Sequence, residues 1–188
     1  LMKEGITFQF DSNGDVKQIY IKVLNKNINP AFRNLLENEY SRKIIGFDIF
    51  GKFPDELQLA SDKLFVEGFE NAGGYGISKN EFEMHLNNKG FRNYSLVKGD
   101  IIKTIPEYLV KNPSLKISIL HIDVDVYEPT LFILENLWNK IVKGGILMLD
   151  DYGTVEGETK AVDEFFAGKN IQINKPRFNN IPSYIIKP

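Results

Sequence analysis

Two kinds of hydrophobic pattern divide the chain. Residues 6–10 and 16–24 alternate apolar and polar side chains around an Asn13-Gly14 pair, which predicts an antiparallel β-hairpin. Later runs, such as 117–120 and 145–149, are almost continuously apolar, as expected of strands buried on both faces of a parallel sheet.

Helical and strand-like segments alternate through the rest of the chain. Gly144-Gly145 is expected to stop the helix predicted over 128–142, and a capping box of Ser78 and Glu81 to open an earlier one. The predicted strands are 43–50, 94–98, 117–120, 145–149, 171–173 and 184–186, and the predicted helices are 30–41, 54–69, 78–90, 104–111, 128–142 and 158–166. This order predicts a doubly wound α/β sheet, mostly parallel with an antiparallel last strand, in a single domain over residues 1–188.

Composition narrows the class of protein. The 188 residues are 43% hydrophobic and 26% charged, as in an ordinary soluble globular domain. A net charge of -2 favours neither nucleic acid nor an anionic membrane as partner, and no run approaches the roughly 20 apolar residues of a membrane span. No signal peptide is recognised, and the absence of cysteine excludes disulfides and thiolate sites, so we expect a cytoplasmic protein whose metal, if any, is bound by oxygen.

Four aspartates follow two of the apolar runs. Asp123 and Asp125 come after the run 117–120, and Asp150 and Asp151 come after the run 145–149. Because the carboxyl ends of parallel strands meet at one edge of a sheet, these carboxylates should lie together, where ligands bind in α/β proteins. Any one of them could simply cap a helix. Four together repel one another unless a cation or proton intervenes, which favours a hard divalent metal or a catalytic role.

Four further positions are candidates for ligand binding. Asp48 ends a strand where nucleotide-binding folds place an acid that accepts hydrogen bonds from a ribose, although a loop-entry acid explains it nearly as well. Gly99-Asp100 could hold an adenine amino group or could form a plain turn. His121, between Leu120 and Ile122, is more typical of a core histidine than of a ligand, but we retain it as a candidate cofactor contact.

The ordered set of these motifs resembles the macrocin O-methyltransferase (TylF-like) family of S-adenosylmethionine- and magnesium-dependent sugar O-methyltransferases. The resemblance covers roughly residues 43–188, and the matching pieces are Ile45-Gly46-Phe47-Asp48-Ile49-Phe50 with Phe53-Pro54, Val97-Lys98-Gly99-Asp100 with Thr104-Ile105-Pro106, His121 to Glu128, Lys143-Gly144-Gly145, Asp150-Asp151-Tyr152-Gly153 and Lys160 to Phe165.

The resemblance implies a class I methyltransferase fold of seven strands. It also implies that Asp123, Asp150 and Asp151 bind Mg²⁺, and that Asp123 or Asp125 takes the proton of the acceptor hydroxyl. Asp48 would hold the ribose of S-adenosylmethionine, and Asp100, beside Gly99, its adenine. The acceptor would be a sugar or glycosylated small molecule, contacted by lid segments near 69–80 and 174–182.

One segment departs from the family pattern. Family members carry a glycine-rich cofactor loop after the first strand, whereas residues 23–30 contain no glycine. We therefore expect that this sequence lacks a segment of the natural protein near residues 25–34. The alternatives are a non-catalytic scaffold that has lost its cofactor loop, and a metal-dependent glycosyltransferase that uses Asp123 and Asp125. The N-terminal hairpin lies outside the resemblance. We consider it an accessory element or an element that forms a homodimer.

Overall fold

The computed structural model describes residues 5–10, 16–23, 26–28, 43–54, 57–74, 76–177 and 179–188. The chain divides into two compact units, one comprising residues 1–46 and 79–96 and the other residues 47–78 and 97–188. In chain order, the strands are β1 (Gly5–Phe10), β2 (Val16–Val23), β3 (Lys26–Ile28), β4 (Ile44–Asp48), β5 (Tyr94–Lys98), β6 (Ile117–Ile122), β7 (Ile141–Leu149) and β8 (Ser183–Ile186). The α-helices are α1 (Ala60–Asn71), α2 (Lys79–Asn88), α3 (Ile101–Lys111), α4 (Tyr127–Leu137) and α5 (Glu156–Phe166).

The first unit contains the N-terminal sheet. Strands β1, β2 and β3 pair antiparallel in that order, which confirms the two predicted hairpin strands. The glycine-free stretch 23–30 is partly described: Val23, the last residue of β2, pairs antiparallel with Lys26, the first residue of β3. The hairpin turn, the predicted helix at 30–41 and most of the segment expected to be incomplete lie outside the described residues.

A parallel pair of strands carries the first of the candidate aspartates. The Ile44 N–H donates to the Asn93 carbonyl at one end of β4 and β5 (3.0 Å), and the Gly99 N–H donates to the Asp48 carbonyl at the other (2.9 Å). Both strands therefore run in the same direction, and Asp48 and Gly99-Asp100 emerge at the same carboxyl end.

The second unit is built on three paired strands. Strand β6 pairs parallel with β7, and β7 pairs antiparallel with β8, which confirms the antiparallel last strand. Helices α4 and α5 pack together, and the core between helices and sheet includes fully buried side chains, among them Leu134, Leu147, Leu149 and Val162. Strands covered in this way need apolar residues on both faces, which explains the continuous apolar runs.

The boundary between α4 and β7 differs from the prediction. The helix ends at Leu137, a 3₁₀ turn spans Trp138–Lys140, and β7 already begins at Ile141. Gly144-Gly145 therefore does not stop a helix but forms an irregularity within β7, where the pairing jumps from Ile141 to Ile146. A Cβ on Gly145 would lie 2.8 Å from the Val142 carbonyl oxygen, so the bulge needs glycine there.

Two smaller predictions were also wrong. Residues 171–173 do not form a strand, and near them only an isolated bridge joins Asn174 to Tyr184. Helix α1 begins at Ala60 rather than at Pro54. No described helix is long and apolar enough to cross a membrane.

Candidate active site

The four aspartates that follow β6 and β7 lie together. Carboxylate oxygens of Asp123, Asp125 and Asp151 lie within 4.8 Å of one another. A second group within the same limit joins Asp123 to Asp150 and a ring nitrogen of His121. Asp123 belongs to both groups, so the cluster offers two overlapping sets of three ligand atoms.

Burial, together with the mutual repulsion of these carboxylates, raises the pKa values of two of them. Burial, a hydrogen bond with Asp151 and the nearby negative charges raise the pKa of Asp125 to about 7. Burial and the charge of Asp150 likewise raise the pKa of Asp123. A bound cation would relieve this repulsion. Apart from the ring nitrogen of His121, the donors are hard carboxylate oxygens, so the residues present fit Mg²⁺.

His121 stands at the edge of this cluster rather than in the core. Its Nε2 lies 3.2 Å from Oδ1 of Asp150, and its side chain is 43% exposed. Although burial lowers the pKa of His121, the hydrogen bond and charge of Asp150 raise it overall. The preference for a core histidine was wrong because successive side chains of a strand point to opposite faces, and Ile122 takes the buried one.

A buried glutamate supports the cluster from α5. Glu158 is fully buried, and its Oε1 accepts a hydrogen bond from the Asp151 N–H (3.1 Å). Its own N–H donates to the carbonyl of Asp125 (3.0 Å), a residue held at φ +60°. Burial raises the pKa of Glu158 to about 8, against the effect of the Asp151 N–H. Both acidic segments are thus connected through one side chain and its backbone.

A cavity of about 630 Å³ opens beside the cluster. Asp48 and Asp100 stand among its lining residues, as do Asp123 and Asp125. Phe53 and Phe69 contribute an aromatic wall, with their ring centroids 5.8 Å apart in an edge-to-face arrangement. The cavity therefore reaches from the ends of β4 and β5 to the end of β6, as ligand sites do in α/β sheets.

The two aspartates on the far side of the cavity are engaged by their own loops. Oδ1 of Asp48 accepts a hydrogen bond from the Phe50 N–H. Oδ1 of Asp100 accepts the Ile102 N–H (2.9 Å), which makes Asp100 the N-cap of α3. Gly99 has a φ of +136°, which few other residues adopt. The structure thus places these residues on the cavity, while their roles toward a cofactor stay predictions.

Sequence reasoning missed two buried acids, Asp62 and Glu158. Both lie in helices, where an acidic residue is usually exposed, and both are almost completely buried here. Nothing in the spacing of the sequence distinguishes them from surface acids. The one feature of the sequence that indicates close packing here is Gly157, because glycine is unusual near the start of a helix.

Comparison with known proteins identifies the family of this chain. Residues 32–184 match the Macrocin-O-methyltransferase (TylF) family. The chain belongs to this family. The match confirms the resemblance inferred from the motifs and begins eleven residues before the expected residue 43, while the N-terminal sheet stays outside it.

Individual known proteins and solved structures are similar to this chain over parts of their length. The demethyldecarbamoylnovobiocin O-methyltransferase of Streptomyces niveus is 34% identical over 83 residues, which are 42% of this chain and 31% of that protein. The O-methyltransferase NovP superposes with a TM-score of 0.68 at 24% identity, over 78% of this chain and 60% of NovP. CalS11, a TDP-rhamnose 3'-O-methyltransferase, superposes with a TM-score of 0.56 at 25% identity, over 83% of this chain and 63% of CalS11.

These likenesses establish a methyltransferase-like α/β fold. The chain spans less than two thirds of the length of each of these relatives. A glycosyltransferase built on Asp123 and Asp125 finds no support, because the TylF match also includes Asp150, Asp151 and the α5 segment that such an enzyme would leave unexplained.

Proposed function

We propose that the protein transfers a methyl group from S-adenosylmethionine to a hydroxyl of a sugar or glycosylated small molecule, with the assistance of Mg²⁺. The observation that carries this proposal is the meeting of four carboxylates at the ends of β6 and β7, beside a cavity that reaches Asp48 and Asp100. Membership of the TylF family supports the reaction class.

The acidic cluster divides into ligands and a base in this proposal. Asp123, Asp150 and Asp151 would hold Mg²⁺, and Asp125 or Asp123 would take the proton of the acceptor hydroxyl. When bound, Mg²⁺ lowers the pKa of a hydroxyl that is otherwise too weak an acid to ionise near neutral pH. The carboxylate of Asp125 lies against that of Asp151, so a base would stand beside the ligand set.

The other side of the cavity would hold the methyl donor. Asp48, at the end of β4, would accept hydrogen bonds from a ribose, and Asp100, after Gly99, would accept one from an adenine amino group. His121, between Asp150 and solvent, is a further candidate contact. We propose that the described strands belong to the doubly wound, mostly parallel sheet typical of these enzymes.

The acceptor class rests on the relatives. One is named for the methylation of demethyldecarbamoylnovobiocin, and another is a TDP-rhamnose 3'-O-methyltransferase. We therefore propose a sugar hydroxyl as the acceptor. Asp123 and Asp125 line the cavity, so a hydroxyl bound in it would meet the acidic cluster there.

Calorimetric titration of S-adenosylhomocysteine, with and without Mg²⁺, tests the proposal. We expect a micromolar dissociation constant for S-adenosylhomocysteine and a separate binding signal for Mg²⁺. Binding of Mg²⁺ without any binding of S-adenosylhomocysteine would contradict the methyltransferase and favour the non-catalytic scaffold. Glu107→Gln, which removes one exposed charge on α3, is the control for later acid-to-amide variants.

A further inference from the structure

Asp62 is an acid with an unusual position. It lies in α1, it is only 2% exposed, and it is one of the residues that line the cavity. Its Oδ1 is buried and has no hydrogen-bond partner among the described residues. Burial of a carboxyl group with one unpaired oxygen costs stability. The hydrogen bond that the other oxygen of Asp62 accepts therefore needs an explanation.

The hydrogen bond that Asp62 accepts caps another helix. Oδ2 of Asp62 lies 2.9 Å from the backbone nitrogen of Tyr127, the first residue of α4. The N-cap residue of α4 is Val126, which has no side-chain acceptor. The first N–H groups of a helix have no partner within the helix, and Asp62 supplies one from 65 positions away in the sequence.

The capped end of α4 directly follows the segment that carries Asp123 and Asp125. Asp125 has a φ of +60°, a left-handed conformation that is costly for a residue other than glycine and must be maintained by its surroundings. Its carbonyl is held by the Glu158 N–H, and two residues later the chain is held by Asp62. The segment is therefore fixed by two hydrogen bonds from two different helices.

Gly157 is the point at which these contacts meet. A Cβ at this position would lie 2.2 Å from Oδ1 of Asp62, 2.8 Å from the Tyr127 nitrogen and 3.1 Å from the Asp125 carbonyl oxygen. Only a residue without a side chain allows α1, the start of α4 and the start of α5 to approach so closely.

We infer that Asp62 is a positioning residue for the metal site. Its carboxylate occupies the space left by Gly157 and, through the Tyr127 N–H, holds the segment 123–126. In that position the carboxylates of Asp123 and Asp125 meet those of Asp150 and Asp151. The inference rests on the proposed function, because it takes the cluster to be a site for a divalent cation. Groups that orient metal ligands typically change metal affinity by roughly 10–100-fold when they are removed.

Titration with Mn²⁺, followed by the electron paramagnetic resonance signal of the free ion, tests this inference without measuring turnover. We expect Asp62→Ala to bind Mn²⁺ roughly tenfold more weakly than the wild type. Asp62→Asn keeps an oxygen that can accept from Tyr127, and it should restore the affinity to near the wild-type value. Gly157→Ala should weaken binding as Asp62→Ala does.

Two control variants lie on α1. Glu67→Ala removes an exposed acid from the same helix, and Gly68→Ala adds a methyl group that would contact nothing within 4 Å. Both should bind Mn²⁺ like the wild type. If Asp62→Ala does not fold, judged by circular dichroism, the comparison of Gly157→Ala with Gly68→Ala provides the same test.

The possible failures can be distinguished. Wild-type affinity in folded Asp62→Ala, or an Asp62→Asn variant as weak as Asp62→Ala, would overturn the positioning role while leaving the metal site intact. A wild-type protein that binds no Mn²⁺ would overturn the metal site of the proposed function, and the positioning role with it.

Discussion

The two sides of the cavity hold their aspartates in different ways. At the ends of β4 and β5, Asp48 and Asp100 each accept a hydrogen bond from the backbone N–H two residues ahead in the chain. At the ends of β6 and β7, the aspartates lie within reach of one another, and hydrogen bonds from distant helices fix their segments. The carboxylates on one side accept hydrogen bonds from nearby N–H groups. Those on the other side are held close together despite their mutual repulsion.

This difference agrees with the ligand proposed for each side. A ribose or an adenine amino group donates hydrogen bonds, so a single carboxylate suffices for each. A divalent cation needs several oxygens at one point, and their repulsion must be overcome by the fold before the cation is bound. The metal side should therefore be sensitive to distant substitutions, and the cofactor side only to local ones.

The largest expected effect is the loss of a metal ligand. Asp150→Asn should abolish measurable Mn²⁺ binding and methyl transfer, because the amide removes the charge that balances the cation and leaves His121 with a weaker partner. Turnover can be measured by release of S-adenosylhomocysteine with sugar acceptors, in parallel with the Glu107→Gln control. Excess chelator should reproduce the loss in the wild type, and full activity in chelator would refute the role of the metal.

A smaller effect is expected on the other side of the cavity. Asp48→Ala should weaken binding of S-adenosylhomocysteine by roughly 10–100-fold, since a hydrogen bond to a charged group contributes about 1.5–3 kcal/mol. Its affinity for Mn²⁺ should not change. Calorimetry on Asp48→Ala and Asp150→Asn, with both ligands, would show whether the two sides are separable; a loss of Mn²⁺ binding in Asp48→Ala would contradict the comparison.

The strand ends could be predicted from the sequence because their signal is local. The apolar runs before Asp123 and Asp150 predicted parallel pairing, and parallel pairing alone brings the two acidic segments to one edge. The antiparallel last strand was predicted from a closing pair of short β-like runs, 171–173 and 184–186. Only the second run forms a strand, β8, and its antiparallel partner is β7.

The features that were predicted wrongly or not at all depend on tertiary contacts. Gly144-Gly145 was interpreted as a helix stop because glycine ends helices far more often than it forms a bulge inside a buried strand. The cap that Asp62 provides to α4 could not be predicted, because it joins residues 65 positions apart through a single hydrogen bond. Such contacts are determined by packing rather than by any periodic pattern.

The smallest expected effect is on stability, and it tests whether the buried charge of Asp62 costs stability in the folded protein. Burial raises the pKa of Asp62 above its ordinary value of 3.8, so the ionised carboxylate is less favourable in the folded than in the unfolded protein. The wild type should therefore lose stability relative to Asp62→Asn as the pH rises from below 3.8 toward neutral. Urea unfolding of both proteins, at acidic and neutral pH and without metal, measures the difference. A difference in the free energy of unfolding that stays constant or shrinks as the pH rises would show that the buried charge carries no such cost. A growing difference would show that the fold retains a destabilising carboxylate at the position from which α4 and the acidic segment are held.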